Sequence, residues 1–237
     1  MEGATIQIET KSSDIVIGSG IKKSFGRGAA AVHVLNGVDI TIPSGSLIAF
    51  KGRSGSGKTT LINLLSALDR PDGGKVMFEG RDLTAMTDKE RDGIRRTRMG
   101  LIFQSFALIP LMSAYENVEF VLRVSGYPAQ ERKAAAEGAL ERVGLKSRMS
   151  HRPFELSGGE QQRTAIARAI AHKPRLLLAD EPTAELDSRT GLQIMKIFRD
   201  LVETAGMTII MTTHDPAIME IVDRVYELED GRIVVPN

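Results

Sequence analysis

Residues 52–59 read GRSGSGKT, a spacing that suits one kind of chemistry. Gly52, Gly55 and Gly57 let the backbone wrap a polyphosphate closely, with Arg53, Ser54 and Ser56 completing the loop. Lys58 can reach the β and γ phosphates, the Thr59 hydroxyl can ligate Mg²⁺, and Thr60 follows in the same turn. A glycine-rich turn that only caps a helix would look similar in isolation. Its context favours phosphate binding. Residues 46–51 (SLIAFK) predict a buried strand leading into the loop, and 58–68 predict a helix with Leu61, Leu64, Leu65 and Leu68 on one apolar face. Strand, glycine loop and helix form the setting that a P-loop requires.

Three further groups have residue types that fit nucleotide chemistry. Residues 175–181 (RLLLADE) predict an apolar strand ending in two carboxylates. Asp180 can hold a metal ion through water, and Glu181 can orient or deprotonate an attacking water. Alone, the pair reads equally well as a polar turn. Gln104 follows a predicted strand at 100–103 and can touch Mg²⁺ and the lytic water; His214 follows one at 207–213 and can hydrogen-bond the γ-phosphate. His33, His151 and His172 have no such placement. Finally, 156–163 reads LSGGEQQR. Ser157 and Glu160 have capping-box spacing, which predicts a well-capped helix. Gly158 and Gly159 each cost that helix about 1 kcal/mol relative to alanine, so another requirement must favour them. Close approach of a second phosphate meets it.

These residues need a framework to position them. With 237 residues, 42% hydrophobic and 26% charged, the chain is expected to form one large domain, or a core with an attached subdomain, rather than two independent units. Lys plus Arg number 31 against 30 Asp plus Glu, so no strong field favours a nucleic-acid partner. There is no cysteine, which excludes disulfide and thiolate chemistry. The first residues lack a secretory pattern, and no apolar run approaches the roughly 18–20 residues that span a bilayer. Solubility is expected, with any membrane role supplied through a partner.

Short β-type runs at 14–18, 32–35 and 38–42 come first. Helix starts are expected near Asp88 and Ala114 from the Thr87/Glu90 and Ser113/Glu116 capping boxes, with a third helix over 128–143 closed by Gly144. This makes about 87–154 a helical insert. Beyond it, a strand at 175–180, a helix at 188–204, a strand at 207–213 and a β pair near 225–228 and 232–235 alternate. An α/β fold with a mostly parallel sheet follows.

The P-loop, Gln104, LSGGEQQR, LLLADEPT, Asp187 and His214 occur in the order and spacing of an ABC-transporter nucleotide-binding domain, which the chain resembles over nearly its whole length. The resemblance implies a P-loop NTPase of ABC-ATPase fold: a mostly parallel core sheet, an N-terminal antiparallel β subdomain, and a helical subdomain at about 87–172 within the single domain 1–237. It implies ATP with Mg²⁺ held by Thr59, Gln104 and Asp180, and catalysis by Glu181, His214, Gln104 and Lys58. Two such domains pair head to tail, so the mouth formed by Ser157, Gly158, Gly159 and Glu160 would close over a partner's ATP. Ser157 and Gly159 would contact its γ-phosphate and Asp187 would link the two sites. Phe25 stands where an aromatic residue stacks on adenine; a small-sheet core residue is the plainer reading. Glu185 departs from the usual D-loop, where a small or amide residue precedes Leu-Asp, and Thr164 replaces the usual valine.

The span 66–119 resembles the lipoprotein-releasing and macrolide-exporter group of these ATPases. That implies an ATPase on the cytoplasmic face of the cell membrane, partnered by a transmembrane permease. A soluble ABC ATPase acting in DNA repair, translation or iron–sulfur assembly is the alternative. Residues 106–112 (FALIPLM) are expected either in the core or in a groove for a permease helix, and 91–98 (RDGIRRTR) on a solvated helix face.

Overall fold

The computed structural model describes residues 14–26 and 28–234. Two sheets form its framework. The smaller is antiparallel, in the order β2 (Val32–Pro43), β1 (Asp14–Phe25), β4 (Gly73–Phe78) and β5 (Arg81–Asp82). β1 and β2 are each 12 residues long, so the short runs expected here are continuous strands. Gly18, Ser19 and Gly20, where the first expected run ends, form an irregularity in the β1–β2 ladder where the Gly20 N–H donates to Asp39 Oδ1 at 2.8 Å.

The larger sheet runs β10 (Arg232–Val234), β9 (Arg224–Glu229), β3 (Leu47–Lys51), β8 (Thr208–Thr212), β7 (Leu176–Ala179) and β6 (Met99–Ile102). It is parallel except for the β9–β10 pair. Every residue of β7 and β8 is buried, as in a sheet covered on both faces, and each large apolar side chain removed from water contributes about 1.5–3 kcal/mol. Parallel strands all end on the same side. The loops after β3, β6, β7 and β8 therefore gather at one edge, where ligands sit in open α/β sheets.

Helix α1 (Lys58–Leu65) buries Leu61, Leu64 and Leu65. It ends three residues earlier than the leucine spacing predicts. Ala67 takes a left-handed φ of 57°, which turns the chain and leaves Leu68 43% exposed. The Ala67 carbonyl accepts from Arg91 and Arg95 of α2 (Asp88–Arg98), and Arg91 Nη2 also donates to the Asp69 carbonyl at 2.6 Å. Arg91 is buried and Arg98 pairs with Glu79, so residues 91–98 are a solvated face only in part, at Asp92, Arg96 and Thr97. A charge run on a helix reads as solvated until carbonyls packed against it are known. Here those carbonyls come from the turn after α1.

Helices α3 (Ala114–Val124), α4 (Arg132–Arg142) and α5 (Gly158–Ile170) pack together through Val118, Leu122, Leu140 and Ile166. Gly144, at φ 74°, closes the α4 region as expected. α6 (Ser188–Ala205) packs Ile194, Phe198 and Leu201 into the same cluster, and short α7 (Pro216–Met219) follows β8. Among the described residues, no helix is long and apolar enough to cross a membrane.

Residues 106–112 do not enter the core. Leu111 is 80% exposed. The buried amide of Asn117 accepts from the Ile109 N–H and donates to the carbonyls of Ile109, Met112 and Ser113. With its backbone bonded in this way, the loop holds its shape without burying its apolar side chains.

Candidate active site

The P-loop leaves β3 and enters α1 through Gly57, the N-cap residue, whose φ is 101°. A Cβ there would meet Leu35 Cδ2 at 2.8 Å and the Val34 carbonyl at 3.0 Å, so only glycine fits. Lys58 is buried and reaches back across the loop, donating to the carbonyls of Gly52 at 2.8 Å and Arg53 at 3.1 Å. The Ser56 hydroxyl is buried without a partner among the described residues, a polar atom suited to a ligand held in the loop. Arg53, Ser54, Gly55 and Thr59 face solvent, and Thr60 is half-buried on α1.

Thr59 and Asp180 line one cleft of 390 Å³, with Asn63 and Asp69 on its wall. A hydroxyl and a carboxylate are hard oxygen donors, the type Mg²⁺ takes. Among the described residues no cluster of three His, Cys, Asp or Glu side chains forms a protein-only metal cage.

Asp180 and Glu181 follow β7. Glu181 has a left-handed φ of 46°, unusual for a residue with a side chain. Its N–H donates to Thr212 Oγ1 at 2.7 Å, and the Thr212 hydroxyl donates to Asp180 Oδ1 at 2.7 Å. His214 is exposed, with Nδ1 3.9 Å from Glu181 Oε1. Both line a cleft of 330 Å³ with Thr183 and Thr213. The turn after Glu181 is also tied to α5, because fully buried Gln162 donates to the Pro182 carbonyl at 2.6 Å.

Ser157, Gly158, Gly159, Glu160 and Asp187 line a separate cleft of 440 Å³, with Glu185 at its rim. Ser157 is the N-cap of α5: its hydroxyl accepts from the Glu160 N–H, and the Glu160 carboxylate accepts from the Ser157 N–H. That N–H, assisted by Arg148, holds the Glu160 carboxyl below the usual range. Asp187 caps α6, accepting from the Thr190 hydroxyl at 2.6 Å and the Thr190 N–H at 3.0 Å, and these bonds lower its pKa.

The two signature glycines have different reasons to be glycine. A Cβ at Gly159 would lie 2.5 Å from Thr190 Cγ2, so packing against α6 accounts for it. At Gly158 the nearest atoms are at 3.8 and 3.9 Å, an ordinary contact. Only Gly158 is left without a packing reason to be glycine; the packing at Gly159 leaves its backbone N–H free to serve a phosphate as well. Gly158→Ala should keep or slightly raise the melting temperature, since alanine favours a helix by about 1 kcal/mol, while ATP hydrolysis falls. Gly159→Ala should lower the melting temperature. Thermal unfolding beside an ATPase assay separates the two effects.

The ABC transporter family model matches residues 35–184. This chain belongs to the ABC transporter ATP-binding family. The ABC transporter ATP-binding protein YknY of Bacillus subtilis, of uncharacterised function, is 43% identical over 91% of this chain and 94% of its own length. The macrolide export ATP-binding/permease protein MacB of Azoarcus is 46% identical over 91% of this chain. This chain spans only 33% of that relative. Among solved structures, the ATP-binding cassette MJ0796, in a dimeric post-hydrolysis state bound to ADP and Pi, aligns with a TM-score of 0.85 at 37% identity. That alignment covers 93% of this chain and 97% of the other. Its α/β fold with an antiparallel β subdomain is that of the ABC ATPases, and the chain is an ATPase of that type.

Within this ABC ATPase, the P-loop, Asp180, Glu181 and His214 lie at the C-terminal edge of the parallel sheet, and Gln104 emerges exposed just past β6. The Ser157 mouth lines its own cleft. Phe25 ends β1 and is 49% exposed, so it is not a core residue; its ring is available for stacking, with Lys23 Nζ 5.4 Å from its centroid. Thr212 and Gln162 were not singled out from the sequence. A threonine in an apolar strand reads as a strand former, and a glutamine on a polar helix as surface.

Proposed function

We propose that this chain is the ATP-hydrolysing subunit of a membrane transport complex of the exporter, lipoprotein-release or mechanotransmission type. In this reading it lies on the cytoplasmic face and joins a transmembrane permease, with 1–237 acting as one ATP-binding domain whose helical subdomain spans about 87–172. The observation that carries the reading is the separation of the two phosphate-type mouths. Thr59 and Asp180 line one cleft, and Ser157, Gly158 and Glu160 line another. A second copy, placed head to tail, would bring its Ser157 mouth over the ATP held by the first copy's P-loop, and Asp187 beside that mouth would link the two sites. Relatives named as ATP-binding/permease proteins support the pairing with a permease, and the dimeric neighbour supports the pairing of cassettes.

In that closed pair, the P-loop amides and Lys58 neutralise the β and γ phosphates, and Phe25 stacks on the adenine. Thr59, Asp180 and Gln104 would hold Mg²⁺, which supplies charge neutralisation to the phosphates when bound. Glu181 accepts a proton from the water that attacks the γ-phosphorus. His214 hydrogen-bonds the γ-phosphate. The bond from phosphorus to the bridging oxygen breaks, leaving ADP and phosphate.

Closure must also be felt by the permease. A groove of 440 Å³ beside Gln104, lined by Phe103, Ala107, Ile109, Phe120 and Val124, is the surface proposed to receive a short permease helix. Tagged protein recovered from detergent-solubilised membranes should bring down a multi-spanning permease. Recovery only as a free soluble ATPase would favour the alternative, an ABC ATPase without a permease. Phe120→Asp, at a side chain 38% exposed, should uncouple transport from hydrolysis while the isolated subunit stays folded. Intact coupling in that variant would place the docking surface elsewhere.

A further inference from the structure

Thr212 is the last residue of β8, fully buried, and its hydroxyl bonds to both acidic positions of the turn after β7, the one polar group among the described residues that does so. We infer that Thr212 is a positioning residue for ATP hydrolysis, setting the orientation of Asp180 and the backbone of Glu181 together through one hydroxyl. This rests on the proposed roles of those two carboxylates.

The geometry is closed and specific. A hydroxyl has one proton to give and two lone pairs. The proton goes to Asp180 Oδ1, and one lone pair takes the Glu181 N–H, both at 2.7 Å. β7 and β8 are parallel neighbours with Ala179 opposite Met211, so the next residues, Asp180 and Thr212, lie side by side where the strands end. The Thr213 N–H is used elsewhere, on the Phe50 carbonyl at 3.1 Å, which anchors the end of β8 to β3. The Asp180 N–H goes to the Ile102 carbonyl at 2.9 Å on the other flank. Asp180 is thereby fixed from β6 through its backbone and from β8 through its side chain. Glu181, one residue on, has a left-handed φ of 46°, which an L-residue keeps only when its surroundings hold it there. Of its backbone groups, the N–H is held by Thr212 and the carbonyl accepts from the Ala184 N–H. With Thr212 reduced to a hydrocarbon, Asp180 Oδ1 would lose its donor and the Glu181 N–H its acceptor. Asp180 could then rotate about χ1, and the backbone that carries the Glu181 carboxylate would lose one of its two anchors.

Thr212→Val keeps the β-branched shape and removes only the hydroxyl; Thr212→Ser keeps the hydroxyl. The valine variant should hydrolyse ATP roughly 10- to 100-fold more slowly, the range expected when a hydrogen bond to a charged group is lost. It should also need more Mg²⁺ to bind a fluorescent ATP analogue, while its affinity for the analogue in EDTA matches the unaltered chain. The serine variant should recover most of both properties. Equal Mg²⁺ dependence and turnover in the valine variant and the unaltered chain would overturn the inference and leave the ATPase reading intact. So would a valine variant whose EDTA affinity falls along with its turnover, or a serine variant no better than valine, because either would make the role one of packing. Absence of hydrolysis in the unaltered chain would instead sink the ATPase reading.

Discussion

Replacing Glu181 with glutamine should slow ATP hydrolysis by about 10² to 10⁴, near 3–5 kcal/mol of barrier, while ATP affinity is kept. Glutamine has nearly the shape of glutamate and retains the backbone at this position, so the Thr212 bond to the Glu181 N–H and the left-handed turn both remain available. What is lost is the capacity to accept a proton from water. Under the proposed shared site, where closure needs ATP and reopening needs hydrolysis, the variant should accumulate as an ATP-bound pair on gel filtration. A single-turnover assay with radiolabelled ATP reads the first effect and the elution volume reads the second. A variant that stays monomeric at saturating ATP would show that pairing needs a different subunit or the permease.

Lys58→Ala should reduce ATP affinity by about 100-fold, near 3 kcal/mol, because hydrogen bonds from an ammonium to charged oxygens are worth about 1.5–3 kcal/mol each. The structure gives this side chain a second task, since its ammonium bonds the Gly52 and Arg53 carbonyls and draws the loop together. Some loss of thermal stability should therefore accompany the loss of affinity. Titration with a fluorescent ATP analogue below the melting transition isolates the binding effect. Unchanged affinity would remove Lys58 from the nucleotide site.

Much of the site's placement was legible because it depends on local spacing. Capping boxes at Thr87/Glu90, Ser113/Glu116 and Ser157/Glu160 each mark the start of a helix that the structure contains. The strand-to-loop transitions at Lys51 and Ala179 follow from short apolar runs that stop at glycine or acid. Long-range partners were the illegible part. Nothing near Arg91 in the sequence announces that the carbonyls of Ala67 and Asp69 lie against it, and nothing near Asn117 announces that it will hold the 109–113 backbone. Gly159 illustrates the same limit. Its spacing suggested a ligand, and a methyl group of Thr190, 31 positions later, adds a packing reason that the sequence did not announce.

The separation of the Ser157 mouth from the P-loop cleft gives the shared-site proposal its sharpest test. One variant, Lys58→Ala, has a disabled P-loop and an intact mouth. The other, Ser157→Asp, keeps a good helix cap but puts negative charge where a phosphate would approach. Each alone should hydrolyse ATP poorly. Mixed in equal amounts, they should regain hydrolysis, because each mixed pair holds one site built from an intact P-loop and an intact mouth. A mixture as inactive as its parts, or a Ser157→Asp chain that turns over ATP at full speed when highly diluted, would contradict a site shared between two copies.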